Sequence, residues 1–248
     1  MSEVVIGIPT MVRDTRRVAC GTLRLKLQKV TKVVCYCHNT DLEKILEACD
    51  AHGVDEVIPH NEPSIDCIRW FIKNDLDNRF PTFAKYMWDD DIYYLAHVEI
   101  GKLQAPEQIH NYLVNLSKKA EEEAALSVGV SSTERFVSLR KSKFGRYSVE
   151  TVIKGIIGFP PGIYNPFGRD PKLTSLEETI AYFRMKEMAE QHGGLAALRH
   201  NYVYMKARTD TPRSSDDPQR LYAIRKAISI GGAKDFKRHH RKLSYLIE

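Results

Sequence analysis

Four apolar runs, each closed by a turn, divide the first ninety residues and leave little freedom of architecture. Val4-Val5-Ile6-Gly7-Ile8 stops at Pro9, Lys32 to Tyr36 forms a second run, Val54 to Ile58 a third that stops at Pro59, and a fourth leads through Tyr86-Met87-Trp88. Unbroken apolar runs of this length mark strands buried on both faces, the habit of parallel sheets. Helical patterns lie between them. Thr10 to Arg17 reads as a polar loop entering a helix that carries Leu23, Leu25 and Leu27. Thr40-Asp41-Leu42-Glu43 is a capping box, with Leu42, Ile45, Leu46 and Cys49 on one apolar face and Gly53 as the stop. Ser64 caps a third helix bearing Ile65, Ile68, Arg69, Ile72 and Leu76. The alternation predicts an α/β sheet with helices on its faces. Ligands of such sheets bind beyond the carboxyl ends of the strands. Thr10, Arg13, His60, Asn61 and Asp89 to Asp91 all fall at those ends.

The fourth run ends in Asp89-Asp90-Asp91, and Ile92-Tyr93-Tyr94 follows. Three adjacent carboxylates repel one another, and each is costly to take from water unless a positive group sits among them. A hard divalent cation is the usual remedy. In an extended chain Asp89 and Asp91 point the same way, so both can face one site while Asp90 faces elsewhere. The alternative is an exposed acidic turn between two strands.

At 248 residues the chain is long enough for one large domain or two small ones, and its formal charge of +5 is concentrated in the C-terminal third. No apolar run is long enough to span a bilayer, and Met1-Ser2-Glu3 opens no signal peptide, so a cytoplasmic protein is expected, in the host cytoplasm if phage-encoded. The five cysteines precede residue 70. Cys35-Tyr36-Cys37-His38 alternates inside a strand pattern rather than keeping zinc-knuckle spacing, and reads as buried free thiols.

The second half is less regular. Pro106 starts a helix with Ile109, Tyr112, Leu113 and Leu116 buried and Glu121 to Glu123 solvated. Leu126 to Ser131 and Thr151 to Phe159 read as strands, the latter turned by Pro160-Pro161-Gly162. Ser175 opens a helix through Ile180, Phe183 and Met188 that Gly193-Gly194 closes. Asn201 to Met205 alternates as a strand. Thr211 to Pro218 is a polar loop, a last helix carries Leu221, Ile224 and Ile228, and the basic stretch Lys234 to Lys242 follows.

Neither G-x-x-x-x-G-K-[ST] nor G-x-G-x-x-G occurs, which disfavours P-loop and dinucleotide readings. Val5-Ile6-Gly7-Ile8-Pro9-Thr10 with Arg13, Ile65 and Arg69 before the acid strand, and Asp89-Asp90-Asp91-Ile92 resemble the nucleotide-sugar half of a GT-A glycosyltransferase. Val128-Gly129-Val130-Ser131, a basic loop, a strand near Ile153 to Gly158 and Leu176-Glu177-Glu178 follow in that fold's order. The set is most similar to the TET-associated and base J DNA-base glycosyltransferases, which include phage enzymes, over roughly residues 4 to 190.

The resemblance implies a single GT-A-like domain: a nucleotide-sugar-binding half over 1–100, a mixed acceptor-side half over 101–210 and a basic extension over 211–248. It implies a Mn2+- or Mg2+-dependent transferase using a nucleotide-sugar, read as a UDP-sugar. Asp91 would be the main metal ligand and Asp89 a ribose contact or a water-mediated ligand. Thr10, Arg13, Arg69 and Asp90 would line the donor pocket. Glu178, with Glu177 beside it, would be the catalytic base. The family position usually reads Glu-Asp, and here the second acid is a methylene longer. A histidine that many GT-A enzymes add to the metal has three candidates, His200, His239 and His240, and the Gly-Gly turn expected near residue 214 is missing. Local readings compete with these roles. Ser175-Leu176-Glu177-Glu178 is itself a capping box, and Arg69 could pair with Asp66 or Asp75 in solvent.

For the acceptor, Arg135, Arg140, Lys141, Lys143 and Arg146 crowd one loop with Phe136, Phe144 and Tyr147 interleaved. Cations neutralise phosphates and aromatic rings stack on unpaired bases. With the resemblance, this points to the hydroxyl of a hydroxymethylated pyrimidine in DNA, such as 5-hydroxymethylcytosine, and to no membrane partner. A glycan or protein acceptor is the first alternative, and a non-catalytic nucleic-acid-binding domain the second. A sugar nucleotidyltransferase would need a glycine-rich G-x-G-T-R loop, which the chain lacks.

Overall fold

The structure, a computed structural model, describes residues 3–10, 12–14, 17–18, 21–52, 55–97, 101–103, 105–132, 147–206, 217–240 and 243. The strands are β1 (Val4–Thr10), β2 (Val12–Asp14), β3 (Arg17–Val18), β4 (Lys32–His38), β5 (Glu56–His60), β6 (Ala84–Trp88), β7 (Ile92–His97), β8 (Gly101–Lys102), β9 (Val128–Ser132), β10 (Tyr147–Val149), β11 (Ile156–Phe159) and β12 (Leu198–Lys206). The helices are α1 (Leu42–His52), α2 (Ile65–Arg79), α3 (Pro106–Glu122), α4 (Glu177–His192) and α5 (Pro218–His239).

One sheet runs β5-β4-β1-β6-β11-β9-β12-β7-β8, with β10 also on β12. Its first four strands are mutually parallel. The later half is mixed: β11 is antiparallel to β6 and β9, while β12 is parallel to β9 and antiparallel to β7 and β10. This is the α/β sheet that the apolar runs predict, GT-A-like as the resemblance implies. The sheet is buried on both faces because neighbouring side chains go to opposite sides. Val4, Ile6 and Ile8 of β1 join a core that includes residues of α1 and α3. Val5 joins Ile72 and Leu76 of α2 and the helices α4 and α5 in the other core. Gly7 allows that second packing, since a Cβ there would stand 2.7 Å from Ile72 Cγ2. Among the described residues no helix is long and apolar enough to cross a membrane.

The parallel order puts a change of winding direction between β1 and β6, where ligand crevices open. Ser64 takes the N-cap of α2 as expected, accepting the Cys67 N–H at 3.2 Å. The buried stripe of α3 and the solvated Glu121 to Glu123 also match the sequence reading. Cys35, Cys37 and Cys67 are buried thiols.

Other expectations need correction. The β1–β4 connection has no α-helix among its described residues but the pair β2–β3 and two 3-10 turns, Gly21–Leu25 and Leu27–Lys29. Leu23 and Leu27 still reach the core, since their i, i+4 spacing keeps both on one side of the consecutive turns. Leu46 is 41% exposed rather than part of the α1 core face. A 3-10 turn, Asn39–Asp41, precedes α1, and the His38 ring accepts the Thr40 N–H there. The third strand lies two residues later than expected, and the strand expected from Thr151 begins only at Ile156. α5 continues through most of the basic stretch, kinked at Gly232, whose φ is 77°.

Candidate active site

Arg69 stands on α2 five residues after its N-cap, on the face turned toward the end of β6 and the start of α4. It is only 2% exposed. Its Nη2 donates to Asp89 Oδ1 at 2.8 Å and to Glu178 Oε1 at 3.2 Å, and its Nε donates to Glu177 Oε1 at 3.1 Å. One guanidinium therefore gathers the first acid of the turn and both acids of the helix start. The solvent pairings open to Arg69 in the sequence do not form. Asp66 accepts the backbone N–H groups of Asp170 at 2.8 Å and Gly168 at 3.4 Å, and Asp75 pairs with Tyr36 and Arg79. The remaining Arg69 nitrogen, Nη1, is buried with no hydrogen-bond partner among the described residues. Buried donors are rarely left so.

Gly155 ties the turn to the helix. Its carbonyl accepts the Asp89 N–H at 2.8 Å, and its own N–H donates to Glu178 Oε1 at 2.8 Å. Its φ of 75° favours glycine at this position. Thr22 holds the turn from the opposite side, donating through Oγ1 to the Asp89 carbonyl at 2.6 Å and through N–H to the Asp90 carbonyl at 3.1 Å. Neither residue stood out in the sequence: an isolated glycine inside a strand pattern was the only signal for Gly155, and Thr22 had none.

Glu178 does not cap its helix. The N-cap of α4 is Leu176, left-handed at φ 61°, with no side-chain cap bond. Ser175 Oγ is buried without a partner among the described residues. Tertiary charge has overridden the local capping pattern. Burial pushes the Glu178 carboxyl up to about 7; Arg69 pulls it down, while Glu177 and Asp89 push it further up. Burial also works against the charge of Arg69, but Asp89, Glu178 and Glu177 outweigh it and hold its pKa above the ordinary value. Three acids around one guanidinium cannot all ionise cheaply, and Glu178 is raised well above the ordinary carboxylate range.

The start of α4 is held by the segment before it. Ser64 Oγ donates to the Asp170 carbonyl at 2.7 Å, and the Asp170 carboxylate accepts from Tyr222 at 2.7 Å and Lys226 at 2.5 Å on α5. α2 and α5 thus meet at Asp170, on the segment that leads into α4.

Thr10 ends β1 nearly buried, its Oγ1 without a partner among the described residues. Asp90 and Asp91 are both nearly buried in the turn between β6 and β7, a turn rather than the extended chain expected. The backbone of Arg13 lies in β2, and its side chain falls outside the described residues. At the ends of β4 and β5 the His38 and His60 rings meet edge to face at 6.0 Å, and Asn39 donates to Asn61 at 2.7 Å. Burial, then His38, lowers the His60 pKa to about 4.

The three histidine candidates make different contacts. His200 meets Tyr112 at 3.0 Å and Tyr147, six residues along β12 from Lys206, which pairs with Ile92 beside the acidic turn. His240 Nε2 bonds Thr179 Oγ1 at 2.8 Å, and burial lowers its pKa to about 4. His239 packs on Tyr182 and Phe183. Arg135, Arg140, Lys141, Lys143 and Arg146, with Phe136 and Phe144, lie outside the described residues, as does residue 214. Among the described residues no three His, Cys, Asp or Glu side chains form a ready metal site. A magnesium-type ion would need only one or two carboxylates, completed by substrate phosphate and water. Asp91 would be the anchor, since Asp89 is engaged by Arg69.

No family model matches the sequence, and no curated protein does. Solved structures do match by shape. S. aureus TarS 1-349 in complex with UDP superposes with a TM-score of 0.51 at 11% identity, over 98% of this chain and 68% of that one. A longer TarS structure gives 0.52 at 10% identity over 98% of this chain, which spans only 41% of it. The 4-diphosphocytidyl-2C-methyl-D-erythritol synthase of Anaerococcus prevotii reaches 0.48 at 8% identity, over 84% of this chain and 92% of that one. The TarS likenesses establish the fold.

Proposed function

We propose that this chain is a glycosyltransferase that moves a sugar from a nucleotide-sugar, read as a UDP-sugar, to an acceptor hydroxyl. The observation that carries the reading is the buried Arg69–Asp89–Glu177–Glu178 cluster at the carboxyl end of β6; Thr10, whose hydroxyl has no partner among the described residues, ends the neighbouring strand β1. Its support also includes the fold shared with a TarS structure that contains UDP.

Chemistry at the site follows from charge. Thr10 and Arg69 Nη1 offer donors to the nucleotide half of the substrate. A divalent ion at Asp91 would offset the charge growing on the departing diphosphate. The sugar becomes oxocarbenium-like as that bond breaks. The acceptor hydroxyl must then lose a proton, and Glu178 is the group poised to take it. Its hydrogen bonds to Arg69 and Gly155 fall on Oε1, which leaves Oε2 for the acceptor. A carboxyl with a pKa of about 7 is a stronger base than an ordinary one and is still half ionised at neutral pH.

For the acceptor we assign the hydroxymethyl group of a modified pyrimidine in DNA. Its support is the sequence alone, through the cations and aromatics of residues 135 to 147. Hydrolysis of a UDP-sugar panel with manganese tests both halves, comparing wild type with Asp91→Ala and adding hydroxymethylpyrimidine DNA, a glycan or a protein. Turnover that needs Asp91 and rises with the modified DNA is expected. Turnover that ignores DNA but rises with a glycan or protein replaces the acceptor. No metal-dependent turnover with any donor removes the transferase reading.

A further inference from the structure

A cavity of the described structure lies away from where the carboxylates converge. α2 runs from the cleft back toward the start of β6. There its outer face, Pro81 and the segment after β11 enclose a space of about 680 Å³. That is within the ordinary range for small-molecule sites, about 300–1,000 Å³. Trp70, Phe71 and Tyr164 give it aromatic walls, and Asn74, Asn78 and Asp77 give it polar ones. Tyr164 is 73% exposed, a large ring at the rim that the fold leaves uncovered. The walls are preformed: Asn165 Nδ2 donates to the Trp70 carbonyl at 2.9 Å and to Asn74 Oδ1 at 2.8 Å, which fastens the 162–165 segment to α2. The Arg169 guanidinium lies over the Trp70 ring, 4.7 Å from its centre, and steadies it.

Charge decides what such a space can take. Lys73 and Lys85 lie beneath it, 0% and 1% exposed. Both ammonium groups are held by Asp77, at 2.5 Å and 3.3 Å, and by the carbonyls of Ile163 and Pro81. Asp75 is matched by Arg79 and the Tyr36 hydroxyl. The cations are committed and the acids balanced, so the cavity does not call for a phosphate or a carboxylate. What remains are ring faces and amide and carboxylate oxygens at short spacing. A pyranose meets this set: its C–H face stacks on an aromatic ring and its hydroxyls both donate and accept.

We propose that this cavity is a second, non-catalytic carbohydrate site that takes a neutral saccharide unit. It stands on the cavity alone and would hold even if the transferase reading failed. The chain has two tryptophans, and Trp88 is fully buried in the core, so a saccharide-induced change in emission reports on Trp70. Maltotriose, cellotriose and chitotriose are titrated against the full chain by tryptophan emission and saturation-transfer NMR, with UDP and glucose 1-phosphate as anionic controls. At least one neutral trisaccharide should bind saturably. Tyr164→Ala should weaken it by about tenfold with the unfolding midpoint unchanged, and Asp91→Ala should leave it intact. No saturation by any trisaccharide, equal binding by Tyr164→Ala, loss of binding in Asp91→Ala, or tighter binding of the anionic controls would each overturn the proposal.

Discussion

Arg69 Nη2 donates to Asp89 Oδ1 at 2.8 Å, so that a helix residue holds the first carboxylate of a turn twenty residues away in sequence. The same guanidinium reaches Glu177 and Glu178. Arg69→Met would leave three carboxylates gathered without a counter-charge. Breaking a buried ion pair from one side costs about 3–5 kcal/mol, and urea unfolding should show a loss of that order at pH 8. The loss should shrink at pH 5, where Glu178 holds a proton and no longer needs the guanidinium. An equal loss at both pH values would mean that Arg69 acts through packing alone.

Glu178 titrates at about 7 in the folded chain, against an ordinary 4.5. Between those values the folded state holds a proton that the unfolded state has lost. The contribution of this group to stability is therefore full below about 4.5, falls as pH rises toward 7, and is flat above it. Glu178→Gln cannot titrate, so its stability relative to wild type should increase across that window. Activity runs the other way, since the base works ionised: kcat/KM should rise with pH and level off above about 7. Glu178→Gln should lower kcat by about 10²–10⁴-fold. A flat profile from pH 5 to 8 would move the proton transfer to another group.

The approach to the cleft was legible in the sequence because local signals agreed. Ser64 had to cap α2, and the apolar run had to deliver Asp89 to the end of a buried strand. The destination of Arg69 was not legible, because Glu177 lies 108 residues away and no periodicity encodes such a contact. The start of α4 was misleading: Ser175 to Glu178 spells a capping box, yet a left-handed Leu176 turns Glu178 toward Arg69 instead. Leu46 fits the apolar stripe of α1 but remains exposed, since periodicity assigns a face and not the presence of a neighbour. The parallel half of the sheet followed from its apolar runs. The order β11-β9-β12-β7 depends on pairings between distant strands, which sequence patterns do not specify.

Thr22 fastens the acidic turn through backbone carbonyls, without touching a carboxylate in any described hydrogen bond. Thr22→Val keeps the shape and removes the Oγ1 bond to Asp89, which should cost about 1 kcal/mol of stability. The turn would then hold its carboxylates less firmly. The expected readout is a higher manganese concentration for half-maximal UDP-sugar hydrolysis, with the pH profile unchanged because Glu178 is undisturbed. An unaltered manganese dependence would show that the turn is positioned from the Gly155 side.

Asp66 is fully buried, and its carboxylate accepts the N–H groups of Gly168 and Asp170. Those bonds fix the segment that carries Glu177 and Glu178 to Arg69. Asp66→Ala leaves the buried Asp170 amide without its acceptor, a loss of about 1–3 kcal/mol. Asp170 should then loosen from Ser64, Tyr222 and Lys226 together, since one short segment makes all these contacts. Hydrogen exchange should report faster exchange at the start of α4 and in the first turns of α5, while β1, β4 and β6 stay protected. The base would be misplaced rather than lost, so kcat should fall while the Km for donor changes little. Protection lost evenly across the sheet would instead mean that Asp66 supports the whole domain and has no particular tie to the site.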